Sequence, residues 1–276
     1  MTSNPSKNTF QHSLSKVALS VAALGFSLTV HAEEAPVPDY SLAYHVGVIS
    51  DYRVRGIAQT SGDPAVQGGI DLTTKSGLYL GTAASNVKWV KDFNGATKGS
   101  YELDLYGGYR AQITDTNFSY DVGVITYQYP GNNSGVGDNN VPAGTFANAS
   151  TVEVYGDLIY KIYTLKYNRS VGNFLGNLNS SGSQYFDLSA AVDLTHGFTL
   201  TPHIGHQFIP NQFLTNQSGN SGDYTDLSLT LAKDFGNGLV GTVAATTTNA
   251  NRIFYTDTKG KYLGNDALVV GLSYGF

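Results

Sequence analysis

Apolar and polar residues alternate with a period of two along most of the chain. In Val152–Leu158, the residues Val152, Val154, Gly156 and Leu158 fall on one face and Glu153, Tyr155 and Asp157 on the other. Leu227, Leu229 and Leu231 oppose Asp226, Ser228 and Thr230, and Phe186, Leu188, Ala190 and Val192 oppose Asp187, Ser189 and Asp193. A period of two is the signature of an extended strand with one apolar and one polar face. The alternation recurs in a repeated unit: Tyr101–Tyr109, Val152–Leu158, Tyr185–Asp193, Tyr224–Leu231, Asn265–Tyr274 and, more loosely, Gln67–Leu72. The unit continues into a tight turn, a returning strand and a longer polar loop.

The pattern predicts about 12 strands, a number typical of mid-sized barrels. They fall near 41–52, 65–74, 78–86, 101–113, 118–129, 151–159, 163–170, 184–193, 199–208, 223–234, 239–249 and 266–276. Those at 78–86, 163–170 and 239–249 alternate weakly. Turns fall at 75–77, 115–117, 160–162, 196–197 and 236–238, most with the Gly, Asn or Asp that left-handed backbone favours. Longer loops, rich in Gly, Asn and Ser, fall near 53–64, 87–100, 130–149, 171–183, 210–222 and 250–265. The longest, 130–149, is read as a surface loop that could alternatively fold inward as a constriction. Short connections at one end and long ones at the other are the habit of transmembrane barrels.

A soluble sandwich would show the same alternation, with the apolar face turned to a core. The C-terminal strand favours the barrel. Leu268, Val270, Leu272, Tyr274 and Phe276 share a face, and a last strand ending on an aromatic resembles the assembly signal of bacterial outer-membrane proteins. Tyr274 and Phe276 are thus expected to engage the barrel-assembly machinery. The expected fold class is all-β, an antiparallel up-and-down transmembrane barrel with short periplasmic turns and longer extracellular loops.

The N-terminus reads as a secretory signal over 1–32. Lys7 and Lys16 precede the apolar Val17–Val30, and Val30-His31-Ala32 supplies small residues for cleavage. The run is too short for a helix across ~30 Å of hydrocarbon. The barrel then occupies 33–276. Cleavage makes the formal charge of −5 two units more negative, which argues against nucleic acid as a partner. With Cys 0, no disulfide framework exists, and stability must come from burial and backbone pairing. Tyr 19 and Gly 32 are high counts and charged residues only 13%. Tyrosine suits the lipid–water boundary and glycine a curved sheet. Trp89, Tyr127, Tyr129, Tyr185, Phe208 and Tyr224 are expected at an outer aromatic girdle. Phe118, Tyr163, Phe198, Phe235, Tyr274 and Phe276 are expected at an inner one.

Ser50-Asp-Tyr-Arg-Val-Arg-Gly-Ile-Ala-Gln-Thr60, Pro64–Gly69, Ser76–Gly81, Ser85-Asn86 and Glu102–Tyr109 resemble motifs of the TorF family, grouped as porins of proteobacteria. The resemblance runs from about Tyr44 to Phe276. Val54 stands where that family usually has an aromatic residue. The likeness implies an outer-membrane pore and supplies no substrate and no functional residue.

Twelve strands close to a backbone radius of roughly 12 Å, wide enough for ions and small solutes. Strand parity turns His45, Asp71, Glu102, Asp104, Arg110, Asp121, Glu153, Asp157, Lys166, Asp187, Asp193 and Asp226 inward, with Asp51, Arg53 and Arg55 at the mouth. The pore-lining candidates are Arg53, Arg55, Asp71, Glu102, Asp104, Arg110, Glu153, Asp157, Asp187 and Asp226. Arg53 and Arg55 are expected to face Asp71, Glu102 and Asp104 across the lumen, where opposed charges would set ion preference; structural pairing is the alternative.

Little else in the sequence suggests chemistry. His203 and His206, three apart on a strand, point to opposite faces and cannot share a metal. No Ser is marked as partner to His206, and no nucleotide fingerprint is present. Neither cofactor nor metal is expected, and the chain is not expected to be an enzyme. The expected function is passive diffusion of small polar or ionic solutes. The alternatives are a non-conducting, partner-binding barrel and, less well supported, a membrane-embedded hydrolase. The partners expected are outer-membrane lipid, the assembly machinery and small solutes.

Overall fold

The computed structural model describes residues 39–136, 141–215 and 217–276. The signal peptide expected over 1–32 lies outside the described residues. The strands are β1 (Tyr40–Ile49), β2 (Ala65–Thr74), β3 (Leu78–Asn86), β4 (Tyr101–Gln112), β5 (Phe118–Gln128) and β6 (Thr151–Tyr160). Then follow β7 (Tyr163–Ser170), β8 (Gln184–Ala190, resuming at Val192–Asp193), β9 (Phe198–Phe208), β10 (Tyr224–Gly236), β11 (Leu239–Thr248) and β12 (Ala267–Gly275). Each pairs antiparallel with its neighbours in sequence, and β12 pairs with β1, so the sheet is a closed barrel with no free edge. Closure satisfies every strand's backbone groups within the ring, as a strand crossing lipid requires.

The registers fix the barrel's size. Stepping from partner to partner around the ring returns to β1 displaced by a shear of about 16 residues, for a tilt of roughly 45° and a radius of about 12 Å. Val48, Leu80, Val124, Leu188, Leu229 and Val270 belong to an apolar exterior exposed around the ring. A soluble monomer rarely exposes a contiguous apolar patch beyond a few hundred Å². This exterior suits hydrocarbon, with polar side chains enclosed. No helix among the described residues is long and apolar enough to cross a membrane.

β3, β7 and β11, weak in the sequence, alternate plainly in exposure. Their pattern is blurred because Gly81, Ala83, Thr164, Thr242 and Ala244 put small or mixed side chains on the inward face. Five connections at the periplasmic rim are short, and six loops at the other rim are long. Loop 1 spans residues 50–64, loop 2 spans 87–100, loop 3 spans 129–150, loop 4 spans 171–183, loop 5 spans 209–223 and loop 6 spans 249–266.

The inner girdle is present: Phe118, Tyr163, Phe198, Phe235, Tyr274 and Phe276 are all exposed. The outer one differs from expectation. Trp89, Tyr129, Tyr185 and Tyr224 are buried, Tyr127 takes inward parity, and only Phe208 of that set is exposed. Parity decides this: Tyr127 and Tyr185 share the faces of Asp121 and Asp187, so they point into the barrel. The outer rim instead exposes Tyr101, Phe186 and Phe208.

Candidate functional site

β1 ends at Ile49, three residues before the sequence pattern suggests. There Asp51 gathers loop 1: it accepts from Arg53 Nε at 2.7 Å and from the Gly62 amide at 3.1 Å. Arg53–Val54 pairs with Ile57–Ala58 as a two-strand hairpin whose turn residues, Arg55 (φ 50°) and Gly56 (φ 77°), are both left-handed. This hairpin enters the lumen. A Cβ on Gly56 would stand 2.5 Å from Thr248 Cγ2 and 2.9 Å from Asp226 Cβ, so only glycine lets the tip sit against the wall. Loop 1 is therefore the constriction. The longer loop 3 lies over the mouth, with Phe146 against Phe93 of loop 2 at 5.5 Å.

Arg55 clamps the tip. It donates to Glu153 Oε1 at 3.1 Å and Oε2 at 2.6 Å, and to Gln207 Oε1 at 2.7 Å. Its guanidinium lies 4.4 Å from the Tyr185 ring centroid. Glu153 is 1% exposed and takes a further bond from Asn168 at 3.2 Å. Such a fork-on-carboxylate contact is the strong form of an ion pair. Arg53 donates to Asp51 and, from loop 6, to the Asn265 carbonyl at 2.7 Å and Asn265 Oδ1 at 3.1 Å. At the outer end of loop 1, Lys88 hydrogen-bonds Asp63 and holds its carboxyl below the usual range.

Of the acids expected opposite Arg53 and Arg55, Asp104 lines the same chamber while Asp71 and Glu102 do not, and none of the three pairs with either arginine. Glu102 is taken by two tyrosine hydroxyls, Tyr52 at 2.5 Å and Tyr129 at 2.7 Å. Asp71 lies toward the periplasmic half and accepts from Tyr106 at 2.6 Å, with His45 3.6 Å away. Asp104 is buried and its Oδ1 has no partner. Because the hairpin turns inward, the arginines pass that wall and reach β6 and loop 6 instead.

The other candidates lie on inward faces in local pairs. Arg110 donates to Asp121 Oδ2 at 2.9 and 2.8 Å, and Lys166 lies 3.1 Å from Asp157. Asp187 and Asp226 flank His203, Oδ2 of the first 2.5 Å from Nδ1 and Oδ1 of the second 2.7 Å from Nε2. His206 points outward to Thr225 Oγ1 at 2.8 Å, so the two histidines occupy opposite faces. Asp193 is exposed near the periplasmic rim. No cluster among the described residues could hold a metal ion.

Sequence reasoning missed Tyr52, Tyr129, Tyr185, Asn168 and Gln207. Parity applied to aromatic and amide residues finds Tyr185, Asn168 and Gln207. Nothing local marks Tyr52, whose partner is fifty residues away.

Above loop 1 the outer loops form an apolar roof. Trp89 packs edge-on to Tyr129 at 5.1 Å and Tyr224 to Tyr255 at 5.2 Å, with Ile57, Ala58 and Leu263 beneath. Trp89, Tyr224, Tyr255, Ile57 and Leu263 help line a cavity of about 50 Å³. Below the loop 1 tip lies a chamber of about 310 Å³ lined by charged, polar, aromatic and aliphatic side chains.

Comparison with solved structures returns outer-membrane barrels. A KdgM porin is 8% identical, with 85% of this chain and 98% of that chain covered at a TM-score of 0.48. A NanC porin is 9% identical, with 86% and 99% covered at 0.49. An outer membrane channel from Pseudomonas putida F1 is 11% identical, with 89% and 99% covered at 0.49. Comparison with the curated proteins returns no match. At the level of sequence family the match spans residues 33–276, and the chain belongs to Gcw_chp, a family of bacterial proteins of unknown function.

Proposed function

We propose that the chain is a porin-like channel of the bacterial outer membrane, allowing small polar or ionic solutes to diffuse through a narrow charged lumen gated by loop 1. The carrying observation is the loop 1 hairpin, held inside a polar-walled barrel by Arg55 on Glu153 and Gln207. A barrel of this radius with one inserted loop leaves room for solutes of a few heavy atoms, and charged groups at a constriction set ion preference. The resemblance of Ser50–Thr60 to TorF porins supports the reading, since those residues form this hairpin. The proposal includes lipid contact around the apolar exterior and assembly through Tyr274 and Phe276. It assigns the chain no catalytic step.

Planar-bilayer recording of the purified protein tests it. Discrete conductance steps are expected, enlarged when residues 52–60 are replaced by a short Gly-Ser link. Replacing Arg53 and Arg55 by Gln should shift the reversal potential toward cation preference. An electrically silent barrel, both intact and with loop 1 shortened, would overturn the channel. One observation favours a second reading, a non-conducting barrel: the buried side chains of Trp89, Tyr129, Tyr224 and Tyr255 pack among the outer loops over the mouth.

A further inference from the structure

The chamber beneath the loop 1 tip is bounded by the hairpin from Arg53 to Gly56, by Asp104 on β4, and by Lys166, Asn168, Asp187 and Asp226 on β7, β8 and β10. Three buried polar atoms of its lining residues have no partner: Asp104 Oδ1, Asn168 Oδ1 and Asp187 Oδ1. All three are acceptors. A buried acceptor left unmade costs free energy, so these side chains gain by turning toward a donor that enters the chamber.

Charge points the same way. Each cation of the wall is already engaged: Arg53 by Asp51, Arg55 by Glu153, and Lys166 by Asp157. His203 is shared between two carboxylates, Asp187 and Asp226, and can neutralise one of them. Asp104, 5% exposed, has neither ion pair nor hydrogen bond among the described residues. Asp104 and one of the Asp187–Asp226 pair thus lack a cation of their own, and both belong to one chamber from separate strands. The same chamber carries the Tyr52 and Tyr127 side chains and the aliphatic side chains of Ile49, Val54 and Val269. An alkyl chain is compatible with that surface, and ammonium groups are attracted to aromatic faces as well as to carboxylates.

We propose that this chamber is a binding site for small organic ammonium solutes, with short diamines, which carry two ammonium groups on an alkyl chain, as the favoured members. An ammonium brings three donors and no acceptor, which suits a wall whose unengaged groups are carboxylate and amide oxygens. The inference deepens the channel reading by naming its solute class, and the binding measurement below does not depend on conduction.

Isothermal titration of the detergent-solubilised full chain with 1,4-diaminobutane tests it. Saturable binding is expected, at least tenfold weaker in Asp104→Asn, which keeps the side chain's shape and breaks no existing pair. 1,4-Butanediol and butanedioate should not compete, and potassium chloride at the diamine's own concentration should displace little of it. Heat-modifiable electrophoretic mobility reports that Asp104→Asn is folded. Absence of saturable binding to the wild type overturns the site. Equal affinity of folded Asp104→Asn also overturns it, as does competition by butanedioate. Equal displacement by potassium overturns the ammonium assignment. A protein that binds the diamine and remains silent in bilayers supports the site while refuting the channel.

Discussion

Replacing Arg55 by Ala removes the clamp on loop 1 and leaves Glu153, 1% exposed, without its cation. Breaking a buried pair from one side costs about 3–5 kcal/mol. The backbone strain of Arg55, at φ 50°, is the same for Ala and cancels, so about 3–5 kcal/mol raises the ratio of released to docked loop by roughly a hundred- to several-thousandfold, at 1.4 kcal/mol per factor of ten. The chain has Cys 0, so Ala58→Cys places a single thiol in the hairpin, where Ala58 is 1% exposed. Its labelling by a membrane-impermeant maleimide then reads the released population when opening and closing are fast. Labelling should accelerate by that factor in Arg55→Ala. It should accelerate nearly as much in Glu153→Gln, and less in Arg55→Lys, which keeps the charge and loses the fork. Labelling within twofold of the Arg55 background would refute the clamp. Removing both partners, as Arg55→Met with Glu153→Met, should recover much of the loss, since no charge is then stranded.

Three further expectations follow from the wall. Leu229→Arg puts a cation on the exposed face in the middle of β10 and should cost about 2–4 kcal/mol in reversible folding into lipid, whereas a neutral result would mean that this face does not meet hydrocarbon. Gly205→Ala would bring a Cβ to 1.9 Å from the Tyr185 hydroxyl and 2.8 Å from Asp226 Oδ2, so Tyr185 must leave Asp226; a loss of about 1–3 kcal/mol should lower the thermal midpoint in detergent. Phe276→Ala removes a ring stacked 5.6 Å from Tyr44 and 5.8 Å from Tyr274, and should lower the yield of heat-modifiable barrel in outer-membrane fractions, while an unchanged yield would remove Phe276 from assembly.

The strands were legible because a period of two survives wherever one face meets lipid and the other water. Val152–Leu158 declares both faces within seven residues. The inner girdle was legible for the same reason, since Phe198 and Phe235 sit at strand ends with outward parity. Loop 1 was not. Its direction is set by Arg55 meeting Glu153 and Gln207, residues 98 and 152 positions away, and no local pattern encodes such distances. The outer aromatics lie elsewhere than expected because parity outweighs nearness to a rim: Tyr185 shares its face with Asp187, and that face is inward. Parity gives the carboxylates a face, yet their partners depend on neighbouring strands' registers, as when Lys166 on β7 sits opposite Asp157 on β6.

The seam between β12 and β1 joins the two ends of the ring, and Tyr44 and Phe276 close it with reciprocal backbone bonds of 2.9 and 3.0 Å. A chain missing its final strand would carry two bare margins, on β1 and β11, and each unmet amide or carbonyl in hydrocarbon costs several kcal/mol. Insertion therefore cannot proceed hairpin by hairpin with each piece stable in lipid. The cylinder must be held by a helper or zipped shut late, and a prematurely ended product should stay in the periplasm as prey for proteases.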